Sequence, residues 1–210
     1  MRYRCAAFDI DGTLLDSAPA DLAGLEEALR REWREVPPAK TLMGTFGMPG
    51  PDILRALGIP EEAHARISQA WHVFKQANAH RIHLFPGVED MLRALRARGA
   101  LLGVVTSKRP ESYGRDFTPF GLDGYFDARV TCVDTVLHKP HPEPLRELLK
   151  RLEVAPGEAL YVGDSIYDRD CAIAAGVDFA LATWGSVQPE MENVTWRLHA
   201  PEDLLDIWDT

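Results

Sequence analysis

Three nearly continuous apolar runs along the chain each end in a corner rich in glycine, hydroxyl or acidic residues. These runs are YRCAAFDIDGT, ALLGVVTSK and EALYVGDS. A strand that is buried on both faces of a parallel sheet has such an unbroken run, whereas a half-exposed strand alternates apolar and polar residues. The three runs therefore predict buried parallel strands, and the runs YFDARVTCV and FALATW predict two more.

Amphipathic helical patterns separate these predicted strands. The segment VEDMLRALRARG places apolar residues on one side and ends at a glycine, and the segments PLRELLKRLEV and SIYDRDCAIAAG behave similarly. Because strands and helices alternate along the chain, the sequence predicts an α/β fold with a doubly wound parallel sheet.

The pattern changes between residues 16 and 81. Long helical stretches such as ADLAGLEEALRREWRE and EEAHARISQAWHVFKQANAH dominate there, and a loop, TLMGTFGMPGP, lies between helices. Pro86 and Gly87 then mark the return to the alternating pattern. The sequence thus predicts an α/β core made of residues 1–15 and 82–210, with an inserted helical domain made of residues 16–81.

Length and charge limit the classes of protein and partner. The chain has 210 residues, which is enough for one well-packed domain with an insertion. Its formal net charge of -9 argues against broad binding to nucleic acid or to acidic membranes, because like charges repel over a Debye length. A small phosphate ester can still bind where a metal and a few cations are concentrated locally.

Cysteine usage and the length of apolar runs bear on location. Cys5, Cys132 and Cys171 form no CxxC pair, which fits reduced thiols, and each also fits a small buried apolar residue. The N-terminal apolar run is too short for the core of a signal peptide, and the sequence has no apolar stretch of about 18 residues. We therefore expect a cytoplasmic protein.

Two aspartates, Asp9 and Asp11, stand one residue apart at the end of the first predicted strand. On an extended strand both carboxylates face the same side and repel each other, so the pair implies a raised pKa, a bound cation or an abrupt strand end. Gly12 permits a sharp turn, and Thr13 adds a hydroxyl and backbone N–H groups. These residues indicate a site for a divalent cation and an anion; an Asp-Gly turn in a surface hairpin is the alternative.

Polar residues also follow the second predicted strand and occupy a later loop. Thr106, Ser107 and Lys108 present two hydroxyls and a cation that suit a phosphoryl oxygen, although they also suit an ordinary helix N-cap. Lys139 stands in HKPHPEP, where the proline-bounded backbone fixes the direction of its side chain toward an anion. A solvated loop lysine is the alternative there.

Asp164 follows the third predicted strand, and Asp168 lies four residues later, one helical turn along on the same side. The two carboxylates can therefore face one cation, while capping of the helix N-terminus is the alternative role. In open α/β sheets, ligands bind outside the carboxyl ends of the strands, so these residues and those above are expected to meet there.

The motifs FDIDGT, VVTSK, HKPHPEP and VGDSIYD occur in this order, and through them the chain resembles the haloacid dehalogenase superfamily over nearly its whole length. The resemblance implies a Mg²⁺-dependent phosphohydrolase that works through an aspartyl-phosphate. The stretches DGTLLDSAPADL and MGTFGMPGPDILRALG look most like the phosphoglycolate phosphatases and their close relatives. The helical insertion would then be a mobile cap whose loop helps to select the leaving group.

The resemblance also implies a set of metal ligands. Asp9 would be both the nucleophile and a Mg²⁺ ligand. Asp11 would be the general acid for the leaving alcohol and then the base for water, and its backbone carbonyl would bind the metal. Asp164 would be a further ligand, with Asp168 completing or orienting the metal's shell.

The remaining matched residues would hold the phosphoryl group. Thr106 and the N–H groups near Gly12 and Ser107 would bind phosphoryl oxygens, and Lys139 would bind phosphate and neutralise Asp9. A carboxylate nucleophile that attacks an anionic phosphate needs such positive charge, both as the substrate approaches and in the transition state.

The expected partner is a small phosphorylated metabolite, with 2-phosphoglycolate as the candidate, and the chain is expected to act as a monomer or homodimer without binding nucleic acid or membrane. Asp11 favours phosphoryl transfer, because dehalogenating members of the family typically lack this second aspartate. Three alternatives stay open: a phosphosugar mutase of the β-phosphoglucomutase type, a pyrophosphatase, and a noncatalytic phosphate-binding protein on the same scaffold.

Overall fold

The computed structural model describes residues 2–48 and 50–208. Met1, Asp209 and Thr210 of the predicted core and Pro49 of the predicted cap loop lie outside the described residues. The strands are β1 (Cys5–Phe8), β2 (Leu15–Asp16), β3 (His83–Leu84), β4 (Leu101–Val105), β5 (Ala128–Val130), β6 (Ala159–Gly163), β7 (Asp178–Ala182) and β8 (Trp196–Leu198). The helices are α1 (Ala18–Glu32), α2 (Ala39–Met43), α3 (Gly50–Ala56), α4 (Glu61–Ala77), α5 (Val88–Ala97), α6 (Pro110–Asp116), α7 (Glu143–Leu152), α8 (Ile166–Ala175) and α9 (Asp203–Trp208).

The chain divides into two compact units. The α/β unit contains the residues up to Leu15 and those from Leu84 onward, and the helical unit is Asp16–His83. The short strands β2 and β3 lie where the chain passes from one unit to the other. No helix in the described part of the chain is both long and apolar enough to cross a membrane.

A parallel sheet with the strand order β5-β4-β1-β6-β7-β8 forms the α/β unit. In the centre of this sheet, Phe8 at the end of β1 pairs with Val104 of β4 and with Val162 of β6. The carboxyl ends of these three strands therefore lie at one edge of the sheet. This arrangement confirms the predicted α/β fold with a parallel sheet.

The sixth strand, β8, is absent from the sequence prediction, which has five strands. It is only three residues long and contains Arg197, so it shows neither an apolar run nor a long alternation. Its pairing of Trp196 with Ala180 of β7 depends on the neighbouring strand being in place. A hydrogen bond from Trp196 Nε1 to Tyr3 Oη, at 2.9 Å, also ties it to the start of the chain.

Helices α7 and α8 pack against the sheet and against each other. The apolar side of α7 is fully or almost fully buried through Leu145, Leu148 and Leu149, as the helical pattern predicts. Helix α8 ends at Gly176, whose φ of 75° gives the left-handed conformation that commonly stops a helix. The three helices predicted in the core are thus present as α5, α7 and α8.

Within the helical unit, the long helices α1 and α4 pack on each other, with α2 and α3 between them in sequence. Gly24 of α1 allows this close approach, because a Cβ at that position would lie 2.6 Å from the backbone nitrogen of Lys75 in α4. Leu25, Leu29 and Ile67 are buried in the core of the unit. The segment predicted as a single loop contains the end of α2 and the start of α3.

Candidate active site

The candidate site lies at the carboxyl edge of β1, where Asp9 is the first residue after the strand. The backbone N–H of Asp9 donates to the carbonyl of Val162 at 2.9 Å, so Asp9 still follows the strand pairing with β6. Only 6% of Asp9 is exposed. Its carboxylate is therefore held in a buried place by a backbone that has little freedom.

The turn at Gly12 separates Asp11 from the strand that carries Asp9. Gly12 has a φ of 81°, which an L side chain rarely adopts, and a Cβ there would lie 2.3 Å from Asp164 Oδ2. The N–H of Gly12 donates to the carbonyl of Leu15 at 2.8 Å. Gly12 thus forms a tight turn, and any residue with a side chain at this position would be strained.

Three buried carboxylates form what we call the acidic cluster: Asp9, Asp164 and Asp168. One oxygen from each lies within 4.8 Å of an oxygen from each of the others. The pKa of Asp9 is raised to about 7: burial is the largest cause, Asp168 and Asp11 act in the same direction, and Lys139 opposes them. Burial also raises the pKa of Asp164 well above its usual value, with Asp168 and Asp9 acting in the same direction.

Burial is the main cause of the raised pKa values of Asp9 and Asp164, and the neighbouring carboxylates add to it. Closely spaced carboxylate oxygens are the ligands that a hard divalent cation prefers, and such a cation reverses the effect of burial on their pKa. The donor atoms of the acidic cluster therefore fit Mg²⁺.

Lys139 joins two members of the acidic cluster. Its Nζ lies 2.8 Å from Asp9 Oδ1 and 2.6 Å from Asp168 Oδ1, and its side chain is only 8% exposed. Burial lowers the pKa of Lys139, but Asp168 and Asp9 outweigh burial and raise it overall. Lys139 is therefore a buried ammonium beside Asp9, and not a solvated loop lysine.

Asp168 takes part in the cap of helix α8, the alternative role that its position in the sequence allows, and it also contacts Lys139. Its Oδ2 accepts hydrogen bonds from the hydroxyl of Ser165 at 2.5 Å and from the N–H of Ser165 at 3.2 Å, which caps helix α8. Its Oδ1 accepts from Tyr161 Oη at 2.9 Å and from Lys139. The helix cap thus fixes the carboxylate that orients Lys139.

The carboxylate of Asp11 is not a member of the acidic cluster and pairs with a different lysine. Its Oδ1 is 2.9 Å from the Nζ of Lys108, and its side chain is 29% exposed. Lys108 is itself buried, and its Nζ donates to Asp116 Oδ2 at 3.2 Å. The turn after β1 thus sends the two aspartates to two different lysines, Asp9 to Lys139 and Asp11 to Lys108.

The hydroxyls after β4 occupy different environments. Thr106 is buried, and its hydroxyl accepts a hydrogen bond from the N–H of Lys108 at 3.2 Å, whereas Ser107 is exposed. Helix α6 begins later, after Arg109, without a side-chain cap. The segment is therefore not an ordinary N-cap, and Thr106 lies at the same sheet edge as Asp9.

The segment from Trp184 to Ser186 contacts the site, although the sequence does not predict its role. Gly185 is so close to the turn that a Cβ there would lie 1.8 Å from the carbonyl oxygen of Gly12. Trp184 Nε1 donates to the carbonyl of Thr13 at 2.9 Å, and the hydroxyl of Ser186 donates to the carbonyl of Asp164. A Trp-Gly-Ser tripeptide in a loop carries no distinctive motif, so only the fold reveals these contacts.

Tyr161 is a second residue that the sequence does not identify. It lies within the apolar run of β6, where it reads as a packing residue. Its hydroxyl lies 2.9 Å from Asp168 Oδ1 and 3.4 Å from the Nζ of Lys139. Its hydroxyl is the one polar side-chain atom in strand β6, and it is the signal that could have drawn attention to Tyr161.

Comparison with known proteins gives consistent results. A family described as haloacid dehalogenase-like hydrolase matches residues 6–182. A phosphoglycolate phosphatase from Xylella fastidiosa (strain Temecula1) is 36% identical over 209 residues, which cover 92% of this chain and 86% of that protein. A phosphoglycolate phosphatase from Yersinia pestis is 35% identical over 191 residues, covering 87% and 82%. The crystal structure of a candidate phosphoglycolate phosphatase from Lactobacillus plantarum has a TM-score of 0.92 at 30% identity, covering 99% of this chain and 100% of that one.

Proposed function

The chain belongs to the haloacid dehalogenase-like hydrolases, and on that premise we propose that it is a Mg²⁺-dependent phosphatase that hydrolyses a small phosphomonoester through an aspartyl-phosphate. One observation carries this proposal: the buried Asp9 carboxylate lies 2.8 Å from the Nζ of Lys139 and within the acidic cluster. A nucleophilic carboxylate needs both partners when it approaches an anionic phosphate.

In the first step, an oxygen of Asp9 attacks the phosphorus atom, and the bond from phosphorus to the ester oxygen breaks. Asp11 gives a proton to the departing oxygen, so that an alcohol leaves and Asp9 carries the phosphoryl group. In the second step, Asp11 takes a proton from water as the water oxygen attacks phosphorus, and the bond from phosphorus to the Asp9 oxygen breaks. Inorganic phosphate is released, and both aspartates return to their starting states.

The charges around Asp9 support its assignment as the nucleophile. Asp168 and Asp9 keep the pKa of Lys139 raised, so its ammonium stays protonated beside the reacting carboxylate. Asp9, Asp164 and the backbone carbonyl of Asp11 would hold Mg²⁺, with Asp168 completing or orienting the shell. Bound Mg²⁺ would supply positive charge that keeps Asp9 ionised and offsets the charge of the phosphoryl group.

The phosphoryl oxygens would be held by Thr106, by Lys139 and by N–H groups near Gly12 and Ser107. The burial of Thr106 at the end of β4 supports this assignment, because a buried hydroxyl at the sheet edge suits one phosphoryl oxygen. The N–H of Gly12 donates to the carbonyl of Leu15 at 2.8 Å, and the N–H of Thr13 donates to the carbonyl of Ile10 at 3.2 Å, so a phosphoryl oxygen would compete with these bonds of the turn.

The names of the relatives support 2-phosphoglycolate as the proposed substrate. A phosphosugar mutase, a pyrophosphatase and a noncatalytic phosphate-binding protein stay open as alternatives. The helical unit is the proposed cap. The three free cysteines are compatible with the proposed cytoplasmic location, and a monomer or homodimer stays a prediction.

The proposal is tested by measuring phosphate release from 2-phosphoglycolate, β-glucose 1-phosphate and pyrophosphate, with Mg²⁺ and with excess chelator. We expect Mg²⁺-dependent release from one ester, and a loss of at least about 10³-fold in Asp9→Asn. The matched control is Asp90→Asn on α5, where the side chain is 81% exposed. Near-ultraviolet circular dichroism of both variants checks that each is folded.

Each contrary outcome points to a different error. Wild-type turnover in Asp9→Asn removes Asp9 from the mechanism, and full activity in chelator removes the metal. Isomerisation of the sugar phosphate without phosphate release favours the mutase, and release from pyrophosphate alone favours the pyrophosphatase.

A further inference from the structure

A second charged network lies beside the acidic cluster, and we call it the Lys108 network: Asp11, Lys108, Arg115 and Asp116. The Nζ of Lys108 is 2.9 Å from Asp11 Oδ1 and 3.2 Å from Asp116 Oδ2. The side chains of Lys108 and Asp116 are only 5% and 2% exposed. An ammonium and a carboxylate have therefore been removed almost completely from water next to Asp11.

Stability alone does not explain this burial. Taking two charges out of water costs about as much free energy as their attraction returns. Lysine also loses rotamer freedom when its long side chain is fixed. Asp116 already binds Arg115, whose Nε lies 2.7 Å from Oδ1 and whose Nη2 lies 3.0 Å from Oδ2. Asp116 is thus neutralised without Lys108, which leaves the ammonium of Lys108 to act on Asp11.

We propose that Lys108 is a positioning residue that holds the carboxylate of Asp11 where it can exchange a proton with the ester oxygen, away from the acidic cluster. This inference rests on the proposed function, because it concerns the acid and base of that reaction. Asp9 and Asp11 are two residues apart, so a cation bound near Asp9 attracts both carboxylates. Lys108 offers Asp11 a competing cation, and Asp116 fixes that cation in place.

The observed contacts distinguish this role from direct phosphate binding, which the sequence suggests for Lys108. Nζ is within 3.2 Å of two carboxylates, so its charge is already shared between them. A lysine that binds phosphate would affect every ester and inorganic phosphate alike. A lysine that positions the acid would instead matter most for esters whose leaving group needs a proton.

The experiment compares Lys108→Met with the wild type on two esters. In 2-phosphoglycolate the leaving group is an alkoxide that needs a proton, whereas 4-nitrophenyl phosphate releases a stable phenolate without one. We expect kcat/KM to fall by about 10²-fold or more for 2-phosphoglycolate and by less than about five-fold for 4-nitrophenyl phosphate. Because Asp11 also activates water in the second step, the variant should release a burst of one nitrophenolate per enzyme before slow turnover.

Two further variants serve as controls. Lys150→Met removes an exposed lysine from α7 and should leave both esters unaffected. The double variant Lys108→Met with Asp116→Asn removes both buried charges together, so we expect it to fold if the single variant does not. It should show the same difference between the two esters.

Inorganic phosphate as a competitive inhibitor supplies the second readout, and its inhibition constant should stay within about two-fold in Lys108→Met. Equal losses of kcat/KM for both esters, together with weaker phosphate inhibition, would overturn the proposal and make Lys108 a phosphate ligand. If the wild type releases no phosphate from either ester, the proposed function fails instead. In that case, crystal structures of the wild type and of Lys108→Met still test whether Lys108 positions Asp11. An Asp11 carboxylate in the same place in both structures would overturn the proposal.

Discussion

Replacing Gly185 by alanine should damage the active site more than the fold. A Cβ at this position would lie 1.8 Å from the carbonyl oxygen of Gly12 and 2.6 Å from its carbonyl carbon. Ordinary van der Waals contact begins near 3.4 Å, so the two segments must separate by about 1.6 Å. Both clashing atoms belong to the backbone, so no side-chain rotation relieves the contact.

The displaced backbone is the turn that follows Asp11 and packs against Asp164. Overpacking of this kind costs about 1–3 kcal/mol of the free energy of unfolding. A displacement of more than about 1 Å in groups that hold the reacting atoms costs about 10²-fold in rate. We therefore expect Gly185→Ala to remain folded, to lose about 1–3 kcal/mol of stability and to lose at least about 10²-fold in kcat for 2-phosphoglycolate.

Two other glycines provide matched controls. At Gly103 a Cβ would lie 2.6 Å from Leu148 Cδ2, the flexible end of a side chain, so Gly103→Ala should affect stability but keep activity. At Gly114 in α6 no such atom lies within 4 Å, so Gly114→Ala should gain up to about 1 kcal/mol from helix propensity and keep activity. The assays are phosphate release and urea unfolding followed by circular dichroism. Wild-type kcat in Gly185→Ala, with stability changed by less than about 0.5 kcal/mol, would refute the reasoning.

Two further predictions concern titratable groups outside the site. Burial raises the pKa of Cys5 and of Cys171 to about 12 each. Both thiols should therefore resist iodoacetamide at mildly alkaline pH in the folded protein and react after unfolding. Rapid labelling of the folded protein, measured by mass spectrometry, would contradict this prediction. Burial raises the pKa of Asp134, but hydrogen bonds from Thr131 outweigh burial, so the pKa is lowered overall. A carboxyl group whose pKa is lowered by folding stabilises the folded state at any pH above its pKa in the unfolded state. This stabilisation is lost as the pH falls toward the pKa of the folded state. The destabilisation caused by Asp134→Asn should therefore shrink between about pH 5 and pH 3. A destabilisation that is constant over that range in urea unfolding would argue against the assignment.

The core strands were predictable because a strand that is buried on both faces has a continuous run of apolar residues. Strands β1, β4 and β6 are buried at nearly every position, so each appears as a continuous apolar run. Strand β8 shows the limit of that reasoning. It has three residues with Arg197 in the middle, and its contact with Tyr3 joins residues 193 positions apart. No local pattern records such a pairing.

The candidate site divides in the same way. Asp9 and Lys139 were predictable because they belong to motifs that occur in a recognisable order, and in the structure Asp9 Oδ1 lies 2.8 Å from the Nζ of Lys139. The roles of Tyr161 and Gly185 were not predictable, because a tyrosine in an apolar strand and a glycine in a loop have many uses. The partner of Lys108 was not predictable either. The sequence placed its charge at the correct sheet edge, but only the fold shows that it faces Asp11.

The two charged networks at this edge differ in their balance of charge, and that difference links the fold to the proposed chemistry. In the acidic cluster, the described structure sets three buried carboxylates beside the ammonium of Lys139; burial, with the neighbouring carboxylates, raises the pKa values of Asp9 and Asp164. In the Lys108 network, two carboxylates face an ammonium and a guanidinium. Unbalanced buried charge is costly and is kept mainly where function needs it. The acidic cluster is therefore where an added cation has most effect, whereas the Lys108 network offsets the charge of Asp11 with the chain's own cations.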